Sequence, residues 1–186
     1  DPKELPRGTN QPPFLTARAK GVIEKVVAMS GWASRTSLPR GTGKGFAFYY
    51  SHMGYFAEVV EVAIADGAPK VKTVWVAGDV GSQIINPINA LHQVEGSVIE
   101  GLSQALAGQQ ITQVAGAVEQ ANFDTHPYLR ISDAPKIVTE FVKTDYPPTG
   151  LGEPALPPVI PALVNAIHAA TGKRIRSLPI TPEMLA

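Results

Sequence analysis

The chain has 186 residues, enough to bury a core in one domain or two small ones, and its 16 Lys plus Arg against 16 Asp plus Glu leave no formal net charge. That balance offers no basic face to nucleic acid or an anionic membrane, and the absence of cysteine excludes disulfides, thiolate zinc and iron–sulfur ligation by this chain's own side chains. Charged residues make up only 17% beside 17 Gly and 17 Pro, so the chain is dry and loop-rich; cover by another polypeptide explains this slightly better than a compact Gly/Pro-rich monomer.

The opening "DPKELPRGTNQPP" is polar and broken by proline, and residues 1–15 read as an extended arm or linker, docked or frayed. The start at Asp1-Pro2 without Met leads us to expect a cut within a longer polypeptide, and no compartment can be read from the chain. From Thr16, apolar positions at Ala19, Ile23, Val26, Val27 and Ser30 predict a helix, with Thr16 as its cap and Gly31 as its stop. "GFAFYYSH" and "GYFAEVVEVAIAD" predict strands, the second alternating Phe56, Glu58, Val60, Val62 and Ile64 on one face. "DGAP" turns the chain into a further antiparallel strand, "KVKTVWVAGDV".

After "INP" the period becomes helical, with Leu91, Val94, Val98, Leu102 and Leu106 on one face and two interior glycines, Gly96 and Gly101. Each interior Gly weakens a helix by about 1 kcal/mol relative to Ala, so something should press close to that backbone, most simply another helix. A hairpin turning at Gly116, a strand over "KIVTEFVKTD", and a proline-opened helix with Ile160, Val164 and Ile167 on one face and Gly172 as its stop complete the chain. No apolar run is long enough for a spanning helix. The fold class expected is α+β, helices packed on a mixed or antiparallel sheet, with residues 16–186 as one unit.

Several chemical candidates fail on context. "RGTGKGF" (40–46) lacks a Ser or Thr after Lys44 and precedes a strand, so a strand-entry loop is expected rather than a phosphate loop or a dinucleotide fingerprint. His52, His92, His126 and His168 have no histidine partner three or four residues away, which argues against protein-ligated metal, and Ser51-His52 lacks a nucleophile-elbow setting. His168, near the end of the last helix, most simply favours the helix dipole.

Glu153 in "TGLGEPALPP" has a different setting. On physics alone the favoured explanation is a carboxylate stabilised by the N-terminus of the following helix. The other is a presented base, since Gly150 and Gly152 remove bulk on one side while Pro154, Pro157 and Pro158 fix the path on the other. A hydrolase would need a second carboxylate, for which Asp145 is the near candidate in sequence.

Three stretches together, "GDVGSQIINPINALHQVEGSVIEGLSQAL" (78–106), "NFDTHPYLRISDAPKI" (122–137) and "GLGEPALPPVIPALVNAIHAATGKRIRSLPI" (150–180), resemble the C-terminal part of the large subunit of molybdenum hydroxylases, the xanthine dehydrogenase and aldehyde oxidase family. The likeness is greatest to the beta chains of isoquinoline 1-oxidoreductases and to related aldehyde dehydrogenases, and it runs from about Phe14 to Ile180. It implies part of a larger molybdopterin-binding domain, whose metal is held by the pterin's own sulfurs. Carried over by motif, Gln93 in "HQVEG" resembles the side chain that hydrogen-bonds the pterin, Leu151 and Gly152 in "GLGE" its backbone neighbours, and Glu153 the catalytic general base. Gly96 would leave helix backbone bare beside a flat cofactor. His92 departs from the glycine common before that glutamine in the xanthine branch.

The resemblance further implies a molybdenum-molybdopterin cofactor, including its cytosine dinucleotide form, with 2Fe-2S clusters on a partner chain for electron transfer. It implies an aldehyde or N-heterocycle as substrate, and the rest of the large subunit as a separate chain in a hetero-oligomer, without which this chain should not catalyse. The competing expectation is a structural fragment of the same fold that meets no cofactor.

Overall fold

The computed structural model describes residues 3–7 and 12–185. Part of the predicted arm lies outside the described residues. The rest includes strand β1 (Glu4–Leu5), which pairs antiparallel with β2 (Phe14–Leu15). Helix α1 (Thr16–Met29) follows directly, and Thr16 does not cap it: its hydroxyl accepts from Lys3 N–H at 2.7 Å, holding the ribbon to the helix start. Gly31, at φ 59°, ends the helix as its left-handed conformation allows.

Four strands form the main sheet in the order β3 (Thr42–Ser51), β4 (Gly54–Ala65), β5 (Ala68–Asp79), β8 (Lys136–Phe141). The first three are antiparallel and β8 runs parallel to β5, so the sheet is mixed. The β4–β5 turn places Asp66 and Gly67 at φ 53° and 75°, the two-residue hairpin that an Asp-Gly pair favours. A small hairpin, β6 (Gln113–Val114) and β7 (Ala117–Val118), turns at Ala115-Gly116 as expected.

Strand β4 is buried on both faces. Tyr55, Ala57 and Val59 meet α1 through Ala19, Val22 and Val26; Phe56, Val60 and Val62 meet helices α2 (Pro87–Leu106) and α3 (Leu156–Thr171). The result is three layers, one helix, the sheet, then two helices. Glu58 lies on the two-helix side, fully buried, and both its carboxyl oxygens are without a hydrogen-bond partner among the described residues.

The inward faces of the helices differ in phase from those the periodicity predicts. In α1 the seam is Ala19, Val22 and Val26, with Ile23 and Val27 at its margin. In α3 it is Val159, Ala162, Leu163, Ala166 and Ile167, while Ile160 and Val164 are half-buried. The reason is close approach: a β-carbon on Gly43 or Gly45 of β3 would overlap backbone atoms of Ala162, Ala166 and Ala170, so small residues of α3 face β3. This is the use of the 40–46 glycine run. Lys44 within it is buried and bonds Ser30 O at 2.6 Å, so it is not placed for a phosphate.

Asn86 caps α2, its Oδ1 accepting from Asn89 N–H at 3.1 Å, with Pro87 in the first turn. Ala90, Val94, Val98, Leu102 and Ala105 point inward. Leu91, assigned to that face by the sequence, is exposed instead, in a turn that precedes Ser97, where the 150–153 loop meets the helix. The two glycines separate: Gly101 lies against Val159 and Leu156 of α3, whereas nothing comes within 4 Å of a β-carbon at Gly96.

A candidate cofactor and acid–base site

The segment after β8 is laid along the end of β5 by backbone bonds. Val142 N–H donates to Gly78 O at 2.8 Å, Ser82 N–H to Tyr146 O at 2.8 Å and Thr149 N–H to Val80 O at 3.0 Å. Gly81, at φ 94°, lets the two backbones meet, since a β-carbon there would overlap the Tyr146 and Pro147 carbonyls. A buried ion pair fixes the same junction: Arg18 Nη2 and Nε reach Asp79 Oδ1 and Oδ2 at 2.7 and 2.8 Å, and Asp79 Oδ1 also accepts from Gly81 N–H and Thr144 Oγ1, each at 2.9 Å. The Arg18 guanidinium packs on the rings of Tyr55 and Tyr146. Desolvation raises the Tyr55 phenol above its ordinary pKa, and Leu15 N–H donates to its oxygen at 2.8 Å. Sequence periodicity placed neither Arg18 nor Asp79 here, because their meeting joins the first helix to the third long strand.

Residues 150–153 therefore emerge in a fixed place, between the β3–β4 turn and α2. A depression of about 360 Å³ opens there, lined by His52, Gly150, Gly152, Glu153 and Pro154. Neither Gly150 nor Gly152 takes a positive φ, and a β-carbon on Gly152 would meet nothing within 4 Å, so these glycines keep the floor bare rather than make a turn. Leu151 turns inward to the core. Glu153 is 73% exposed, with Oε1 3.7 Å from His52 Nε2.

Helix α3 begins at Leu156 behind Ala155 with no side-chain cap, and it is the Glu153 carbonyl that accepts from Leu156 N–H at 3.0 Å, so the carboxylate stands beside the helix start without capping it. Nor does a second carboxylate line the depression, and Asp145 is not among its walls, which removes the hydrolase arrangement.

On the α2 side of the loop, Ser97 Oγ donates to Gly152 O at 3.4 Å, tying the helix to the loop. Gln93, one turn earlier on the same side, and Gly96 are exposed, and the Gln93 amide makes no hydrogen bond to the described residues. Among the described residues no three His, Cys, Asp or Glu side chains come together as a metal site. The donor set thus fits a flat, hydrogen-bonding group that brings its own metal ligands: a free amide and two bare glycine positions, Gly96 and Gly152. The sequence raised His52 only as a metal ligand or a hydrolase element, and turned down both. The signal available was a two-residue hairpin loop, His52-Met53, made without Gly or Asn.

Comparison with known proteins identifies the family. The family model for the molybdopterin cofactor-binding domain matches residues 15–135. The beta chain of isoquinoline 1-oxidoreductase from Brevundimonas diminuta is 34% identical over 170 residues, covering 90% of this chain and 22% of the relative. The membrane-bound pyrroloquinoline-quinone aldehyde dehydrogenase of Gluconacetobacter polyoxogenes is 31% identical over 171 residues, covering 89% and 22% respectively. Among solved structures, the aldehyde oxidoreductase from Desulfovibrio gigas superposes with a TM-score of 0.60 at 26% identity, over 71% of this chain and 15% of that one. The chain spans about a fifth of the length of the first two of these relatives.

Proposed function

We propose, because the chain belongs to the molybdopterin cofactor-binding domain family, that it is part of the catalytic subunit of a molybdenum hydroxylase acting on aldehydes or N-heterocycles, with Glu153 as general base. When bound, the molybdenum-molybdopterin group, plain or as its cytosine dinucleotide, would supply the redox chemistry, with 2Fe-2S clusters on a partner chain as the electron acceptor. The residues of this chain hold and orient. The Gln93 amide can both donate to and accept from a heterocycle edge, and Gly96, Leu151 and Gly152 present backbone without side-chain bulk. Glu153 accepts the proton released as the nucleophile forms its bond to substrate, at Oε1 or Oε2.

The observation that carries this reading is the exposed Glu153 carboxylate over a bare glycine floor, joined through Ser97 to the helix bearing Gln93. Water is excluded, on this reading, by the remainder of the large subunit as a separate chain, which the exposed apolar side chains of Ile85, Ile88, Phe123 and Ile131 support. In the complete complex, Glu153→Gln is expected to retain molybdenum and lose turnover by on the order of 100- to 10,000-fold, the amide being nearly isosteric and unable to take the proton. Turnover at the wild-type rate in that variant refutes the assignment.

A further inference from the structure

The β3–β4 and β4–β5 turns are both two-residue hairpin loops with both loop residues at positive φ. The second uses Asp66-Gly67, the pair such a turn favours. The first uses His52 and Met53, at φ 52° and 64°, where L-residues with bulky side chains are strained. Strain retained next to a binding depression points to a side chain kept for what it touches. The turn lies against the 149–150 segment, a β-carbon on Gly150 standing 3.7 Å from His52 Cβ and one on Gly54 3.4 Å from Thr149 Oγ1.

What His52 touches is specific. Its Nδ1 lies 2.7 Å from Ser51 Oγ and its Nε2 lies 3.7 Å from Glu153 Oε1. A carboxylate can only accept, so the ring turns a protonated Nε2 toward it; in the neutral ring Nδ1 is then the acceptor and Ser51 the donor. The separation is in ion-pair range, and contacts of this kind tighten when the site fills. From the strained turn and this Ser51–His52–Glu153 line we infer that His52 is a positioning residue, which holds the Glu153 carboxylate in its proton-accepting orientation. The inference rests on the reading of Glu153 as the base.

Two substitutions separate positioning from a merely structural role. His52→Asn suits the left-handed conformation better and cannot reach Glu153. In the complete cofactor-loaded complex it should raise the thermal midpoint while lowering kcat on the order of 10- to 100-fold at unchanged KM. His52→Gln, whose amide nitrogen falls near the position of Nε2, should recover part of that kcat. A second readout needs no cofactor: in the chain labelled with 15N-histidine, the His52 Nε2 resonance should move in Glu153→Gln, and Ser51→Ala should mix the ring tautomers. A His52→Asn complex with wild-type kcat, or an Nε2 resonance indifferent to Glu153→Gln, overturns the inference. If Glu153→Gln itself turns over at the wild-type rate, it is the base reading that falls, whatever His52 does.

Discussion

Glu58 illustrates how a single side chain can set the pH response of the whole molecule. It is 0% exposed on the core face of β4, and burial alone pushes its pKa well above the ordinary 4.5. A carboxyl whose folded pKa is raised contributes its full stability below the unfolded value and loses it as pH rises through the folded one, because in that window the unfolded chain has released a proton that the folded chain keeps. Stability should therefore fall from acidic toward neutral pH and above. Glu58→Gln should flatten that slope, and Glu58→Leu, which also removes an unpaired polar group, should stabilise by about 1–3 kcal/mol at neutral pH. Urea unfolding at acidic, neutral and alkaline pH measures both; a wild-type slope persisting in the glutamine variant contradicts the role given to Glu58. The alternation in "FAEVVEV" placed Glu58 correctly in the row of Phe56, Val60 and Val62. Whether it would find a partner there was not legible, because that depends on what α2 and α3 bring across the core.

At the scale of elements, local chemistry was readable and docking was not. The Asp66-Gly67 turn, the Gly116 hairpin and the Asn86-Pro87 helix start follow from residues within a few positions of one another. The parallel seat of β8 beside β5, and the inward phase of α1 and α3, arise between segments distant in sequence. A periodicity weighted by bulk selected Ile160 and Val164 where Ala162 and Ala166 make the contact. The glycines of α2 make the same point, since Gly96 and Gly101 look alike in sequence and have opposite surroundings. Gly101→Ala should cost roughly 1–3 kcal/mol by overpacking against Val159. Gly96→Ala should stabilise the helix by about 1 kcal/mol in the chain and yet lower molybdenum retention in the complete complex. Thermal unfolding of the two variants, with metal analysis of the second, tests the division; a Gly96→Ala complex with full molybdenum content removes Gly96 from the cofactor wall, and with it one of the two bare positions on which the fit rests.

The molecule as a whole combines a closed interior with an unfinished exterior. Its core is continuous through α2, α3 and the sheet, and a buried ion pair ties α1 to the end of β5, along which the segment leading to the site is laid. Outside, Ile85 at 90% and Ile131 at 96% exposure stand with Ile88 and Phe123 on a surface short of charge. Single exposed apolar residues are ordinary, but here they flank the α2 helix start and follow the β6–β7 hairpin, in a chain that spans about a fifth of a curated relative. If the remaining polypeptide of the large subunit covers them, amides of segments 85–91 and 121–131 should exchange quickly in the isolated chain and become protected on assembly, the change being absent from α1. Ile85→Ser and Ile131→Ser should leave the thermal midpoint of the chain unchanged, because neither side chain is packed, and each should weaken assembly by roughly 1–2 kcal/mol. Hydrogen exchange by mass spectrometry, with and without the partner polypeptide, reads the first and a titration of assembly reads the second. Equal exchange in both states places the partner elsewhere on the surface, and the depression beside Glu153 would then need another means of excluding water.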